Sequence, residues 1–137
     1  MTEIHPVASD LAEVGRLNEM LSERWAEQDL PPDLEMPVTL ALEEVLSNVI
    51  RHSAEGVSPE ISVRFTFAPE VFEFEVIDNG EEFNPLELPP FNVDAGLEER
   101  RAGGMGVHIV KQLADEVRYQ YREGKNSFVF RKKLAAA

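Results

Sequence analysis

The chain contains no cysteine. That excludes disulfides, thiol catalysis and thiolate metal sites. Its three histidines, His5, His52 and His108, are scattered, which argues against a zinc centre. Basic residues are scarce, 13 Lys and Arg against 26 Asp and Glu, for a net charge of −13. Nucleic-acid binders gain affinity by neutralising phosphates with cations, so a chain of this sign repels polyanions. Nucleic acid and anionic membrane surfaces are therefore not expected as partners. A small anion is still acceptable where backbone amides or a metal ion supply local positive charge. Long apolar runs are missing too, and none approaches the roughly 20 residues of a membrane span. The opening MTEIHPVASD lacks the basic-then-apolar layout of a secretory signal. A cytoplasmic location is the expectation.

What is present suits a soluble globular chain: 137 residues, 43% of them hydrophobic and 28% charged. One domain over residues 1–137 is expected, with enough length for a real core. Ser9 or Asp10 can cap a helix running to about Gln28, whose Leu11, Val14, Leu17, Met20 and Leu21 share a face. QDLPPDLEMP breaks the pattern, and a second helix follows from about Pro37 to His52. The period then changes to two. Ile61, Val63, Phe65 and Phe67 alternate with polar residues, as do Phe72, Phe74 and Val76, and APE joins the runs into a hairpin. From Glu81 to Ala102 periodicity disappears, among three prolines and many charges. Such a stretch in so small a domain is a lid or binding loop more often than filler, and we place the lid at about 84–103. GGMG then opens a helix from Val107 to about Asp115. A second hairpin, with Gly124 in its turn, closes the chain. Helices alternating with antiparallel hairpins in this order predict an α+β fold, a two-layer sandwich with helices on one face of the sheet.

Three stretches carry chemistry. In LEEVLSNVIRHS, Leu42, Val45, Leu46, Val49 and Ile50 make an apolar stripe, while Glu44, Asn48 and His52 line up at i, i+4 and i+8 on roughly the opposite side. An Asn48 amide oxygen suits Mg²⁺, an ion that takes few protein ligands and fills its shell with water and phosphate. Glu44, one turn earlier, can act as a general base. Asp78-Asn79-Gly80 ends a strand. There a carboxylate can accept a hydrogen bond from an amino group, and Gly80 permits close approach of a planar base. Gly103-Gly104-Met105-Gly106 precedes a helix, where backbone amides and the helix dipole favour an anion. Each stretch also has a plainer reading: a wet helix face, a common turn, a glycine hinge.

In this order the three stretches resemble the motifs of the Bergerat-fold ATPases (the histidine-kinase-like, or GHKL, superfamily). Glu44-x-x-x-Asn48 is similar to the N box, DNGEEF to the first glycine box and GGMG to the second. The NVIRHS ending and the layout of LEERRAGGMGVHIVKQLADEVRY most resemble the anti-sigma regulatory factor serine kinases. The resemblance implies an ATP (or ADP) and Mg²⁺ site. Asn48 would bind Mg²⁺ and phosphate oxygens, Glu44 would be the catalytic base, Asp78 would read adenine and Gly80 would line its pocket. Gly104 to Val107 would cradle phosphates, and Arg51 with Arg100 or Arg101 would offset their charge. His52, Phe83, Gly103, Met105 and Gly106 complete the implied nucleotide-binding set. The implied partner is a STAS-type anti-anti-sigma protein phosphorylated on serine. In the family's archetypes a sigma factor is also bound, and a homodimer is expected. Two rival readings stand: a non-enzymatic ATP-dependent switch that captures a partner, and the catalytic domain of a histidine kinase. The stretch ahead of Glu44 is short for both a first helix and a phosphoacceptor helix pair, which places the second rival behind.

Overall fold

A computed structural model of the chain describes residues 1–53, 60–87 and 105–134, the side chains of Ser53 and Met105 excepted. The strands are β1 (Thr2–Val7), β2 (Ile61–Phe67), β3 (Val71–Asp78), β4 (Glu116–Arg122) and β5 (Lys125–Lys133), and the helices are α1 (Ala12–Glu27), α2 (Glu35–Ser53) and α3 (Met105–Leu113). The expected lid falls mostly outside the described residues. Its described part is a short turn of helix at Pro85–Glu87.

The five strands form one sheet in the order β1-β2-β3-β5-β4, and every neighbouring pair is antiparallel. The chain leaves β3, passes through α3 to the edge strand β4, and returns as β5 beside β3. Strict alternation buries Val63, Phe65, Phe72, Phe74, Val76 and Phe130 on one face. Leu17, Leu21, Trp25, Val38, Leu42 and Leu46 of α1 and α2 meet them in a common core, with Val110 of α3. The other face carries Arg64, Glu73, Glu75, Arg118 and Arg131, which pair across strands. The α+β two-layer arrangement expected from the sequence is the one observed. Aromatics fix its centre. Phe74 and Phe130 stack with ring centroids 4.8 Å apart. Trp25 meets Phe72 edge-on at 5.4 Å and donates its indole N–H to the Pro31 carbonyl at 2.8 Å.

Boundaries differ in explicable ways. Helix α1 begins at Ala12, with Leu11 rather than Ser9 or Asp10 at the cap position, although Asp10 accepts the Ala12 N–H at 2.9 Å. Helix α2 starts two residues before Pro37, which is tolerated because first-turn N–H groups have no intrahelical partner. Helix α3 begins inside the glycine stretch, at Met105, and ends at Leu113, where Lys132 donates to the Leu113 carbonyl at 2.8 Å. The β4–β5 turn places both Glu123 and Gly124 at positive φ, 54° and 75°, the geometry that follows the twist of a two-residue hairpin.

Strand β1 was not expected from the sequence. It inverts the usual pattern: Ile4 points outward, 58% exposed, whereas the ring of His5 approaches Phe65 at 5.7 Å and Glu3 pairs with Arg24 at 2.8 Å. Pro6 sits in this strand, which is tolerable because β1 is an edge.

Phe74 is fully buried, and its ring stacks on that of Phe130. Phe74→Ala is therefore expected to cost about 3–5 kcal/mol of folding stability. A urea titration checks this as a lower midpoint at unchanged slope.

Candidate functional site

The register between β3 and β5 builds the site. It sets Asp78, the last residue of β3, opposite Asn126, near the start of β5. Both are buried, at 7% and 6% exposure, and burying such groups without partners is costly. Asn126 Nδ2 donates to Asp78 Oδ1 at 3.1 Å and to the Glu81 carbonyl at 2.8 Å. Its Oδ1 accepts the Phe83 N–H at 3.0 Å and the Tyr119 hydroxyl. Burial, the largest of several influences, raises the Tyr119 phenol above its ordinary range. Gly80 donates its N–H to the same Asp78 oxygen at 2.9 Å. A Cβ on Gly80 would stand 2.9 Å from that oxygen, so glycine is needed for this close approach. Asn79 turns the other way, and its side chain accepts the Glu60 N–H at 2.7 Å, holding the loop to the start of β2.

Above this floor lies a cavity of about 610 Å³, a volume ordinary for a small-molecule site. It is lined by Asn48, His52, Asp78, Gly80, Phe83 and Val107 among the residues singled out in the sequence, with Val45, Val49, Val76 and Phe128 as apolar walls. The structure thus gathers one wall from α2, one from the DNG loop and one from α3. The polar line and the apolar stripe of α2 are not separate at the cavity, since Val45 and Val49 flank Asn48 there. The imidazole of His52 stacks on Phe83 with centroids 3.9 Å apart.

Glu44 does not line the cavity. Its carboxylate lies against Gly106 in the first turn of α3. Burial, helped by the neighbouring Glu43 charge and opposed by Arg51, holds its carboxyl above the ordinary carboxylate range. Arg51 is exposed at the end of α2. Met105 opens α3. Arg101, Gly103 and Gly104 lie outside the described residues, as does Arg100.

Sequence reasoning missed Asn126 and Tyr119, both on the cavity. Their signal was faint. A polar pair, Asn126-Ser127, interrupts an apolar strand directly after a turn, and only the β3–β5 pairing explains it. Glu81 and Glu82 also line the cavity, so its mouth is acidic.

The described residues can be tested against the implied groups. A buried carboxylate beneath apolar walls fits a planar base that presents an amino donor. Among the described residues no cluster of three His, Asp or Glu could hold a metal, so the donor set provides no all-protein cage. One Asn48 amide on the wall fits instead a Mg²⁺ ion whose remaining ligands are phosphate and water.

Fold and cavity together define an α/β sandwich of the histidine-kinase-like ATPase class. A family model described as a histidine kinase-like ATPase domain matches residues 7–132, and the chain belongs to that family. It is 31% identical over 90 residues to the serine-protein kinase RsbW of Listeria monocytogenes, across 62% of this chain and 57% of that protein. The chain therefore spans little more than half the length of this curated relative. Among solved structures, it resembles the RsbU and RsbW domains of Rv1364c from Mycobacterium tuberculosis, with a TM-score of 0.69 and 15% identity, over 100% of this chain and 33% of that one. The catalytic domain of the histidine kinase ThkA matches with a TM-score of 0.52 and 16% identity, over 96% of each chain. At these identities the structural likenesses speak for the fold alone.

Asn126→Ala removes one partner from each of several groups at the junction. Unmatched buried groups cost about 1–3 kcal/mol each, so this variant is expected to lose at least that much stability. Chemical denaturation monitored by tryptophan fluorescence measures it.

Proposed function

We propose that this protein binds ATP with Mg²⁺ in the cavity and phosphorylates a serine of a STAS-type anti-anti-sigma partner, which it regulates by exchange between partners. The observation that carries this reading is the buried Asp78 carboxylate at the floor of a cavity with Asn48 on its wall and Glu44 one helical turn beyond. Similarity to proteins named serine-protein kinase supports the choice of serine as acceptor.

In this reading Asp78 accepts a hydrogen bond from the adenine amino group, and Gly80 and the His52–Phe83 ring pair bound the base. The Asn48 amide oxygen would hold Mg²⁺, which when bound neutralises phosphate charge beside an acidic mouth. The amides of Gly106 and Val107, with residues 103–105, would face the phosphates. Arg51 and Arg101 would add positive charge near them. The transfer forms a bond between the partner's serine oxygen and the γ-phosphorus and breaks the bond to the bridging oxygen, releasing ADP. Glu44 takes the serine proton. Phosphoryl transfer depends mainly on positioning and charge neutralisation, and a carboxyl held above its ordinary range is a better proton acceptor than one in water.

Glu44→Gln keeps the shape and removes the base. In a single-turnover assay with labelled ATP and a cognate STAS protein it is expected to slow transfer by about 10²–10⁴-fold, with ATP binding retained. Transfer at the wild-type rate would remove Glu44 from that role. A wild-type protein that captures the partner only with ATP, yet transfers nothing, would favour a non-enzymatic switch.

A further inference from the structure

Gly106 lies inside a helix and has no positive φ, a conformation that among the described glycines belongs to Gly124. Its backbone therefore does not demand glycine, and glycine is the poorest helix former after proline. The reason for it is space. A Cβ built on Gly106 would overlap Glu44 Oε2 and stand 3.2 Å from Glu44 Cδ and 3.6 Å from its Cβ. The Glu44 carboxylate thus occupies the volume that a side chain at 106 would fill.

We propose that Gly106 is a positioning residue for Glu44: by lacking a side chain it admits the Glu44 carboxylate between α2 and the first turn of α3, and the backbone of that turn holds it in place. The role assigned to Glu44 rests on the kinase reading above, but the contact does not. Among the described residues no hydrogen bond fixes the carboxylate, so its place is set by packing. Packing also shields it partly from water, in keeping with the upward shift of its carboxyl. Because α3 follows directly from the glycine-rich stretch, any shift of its first turn moves the wall against which the base rests. Misplacing a catalytic group by about 1 Å can cost on the order of 10²-fold in rate.

The test is a double-mutant cycle on the full chain: wild type, Gly106→Ala, Glu44→Ala and the double variant. Alanine is the better helix former, so Gly106→Ala should raise the melting temperature when Glu44 is already alanine and fail to raise it in the wild type. The Glu44 carboxyl, followed by NMR through a pH titration, should fall toward its ordinary range in Gly106→Ala as the group is pushed into water. Transfer to the serine partner should drop on the order of 10²-fold. Equal stabilisation by Gly106→Ala in both backgrounds, with an unmoved Glu44 titration, would overturn the proposal. Should Gly106→Ala fail to fold, a folded double variant supports the contact and an unfolded one refutes it. A wild type without transfer activity counts against the kinase reading alone, because the melting and titration arms still judge the contact.

Discussion

Everything at the cavity depends on one buried side chain held between two strands. Asn126 has two N–H groups and one carbonyl oxygen to satisfy, and it uses them on the end of β3, on the loop beyond it and on β4. The junction exists only because β5 returns to the middle of the sheet beside β3, so that Asp78 and Asn126 face each other in register. A shift of one residue in the register of β5 would turn Asn126 to the opposite face and break the pair. The topology, the core and the site are therefore one problem. The alternation that buries Phe74 and Phe130 also points Asp78 into the cavity.

The electrostatic arrangement follows from the same geometry. The chain carries a net charge of −13, and Asp78, Glu81 and Glu82 all border the cavity. An anionic ligand in such a place needs compensation from backbone amides, from a metal ion or from arginines. The first turn of α3 supplies amides. Asn48 offers a neutral oxygen donor where a further carboxylate would add charge. Glu44 stands apart from this arrangement, against Gly106 rather than on the cavity wall.

Much of this was legible in the sequence. Period-two runs gave β2 and β3, the 3.6-residue stripe gave α2, and turn chemistry gave the β4–β5 hairpin, because in each case local pattern and tertiary burial agree. Strand β1 was not legible, since it faces Glu3 and His5 inward and Ile4 outward. Asn48 stood out in a polar line with Glu44 and His52 on one helix, and Asp78 as a carboxylate ending a strand before a glycine. Asn126 and Tyr119 did not, because their role comes from pairing between strands far apart in the chain. The snug fit of Glu44 against Gly106 was equally hidden, as two helices distant in sequence must pack before it arises.

The central claim is that Asp78 reads adenine through a hydrogen bond it can only accept. Adenine offers an amino donor there, whereas guanine places a carbonyl oxygen at the corresponding position and would set acceptor against carboxylate. Calorimetric titration of the full chain with Mg-ATP and with Mg-GTP tests this most directly. The account predicts ATP binding in the micromolar to millimolar range and GTP binding weaker by roughly tenfold or more. Equal affinity for the two nucleotides, or binding of neither, would contradict it.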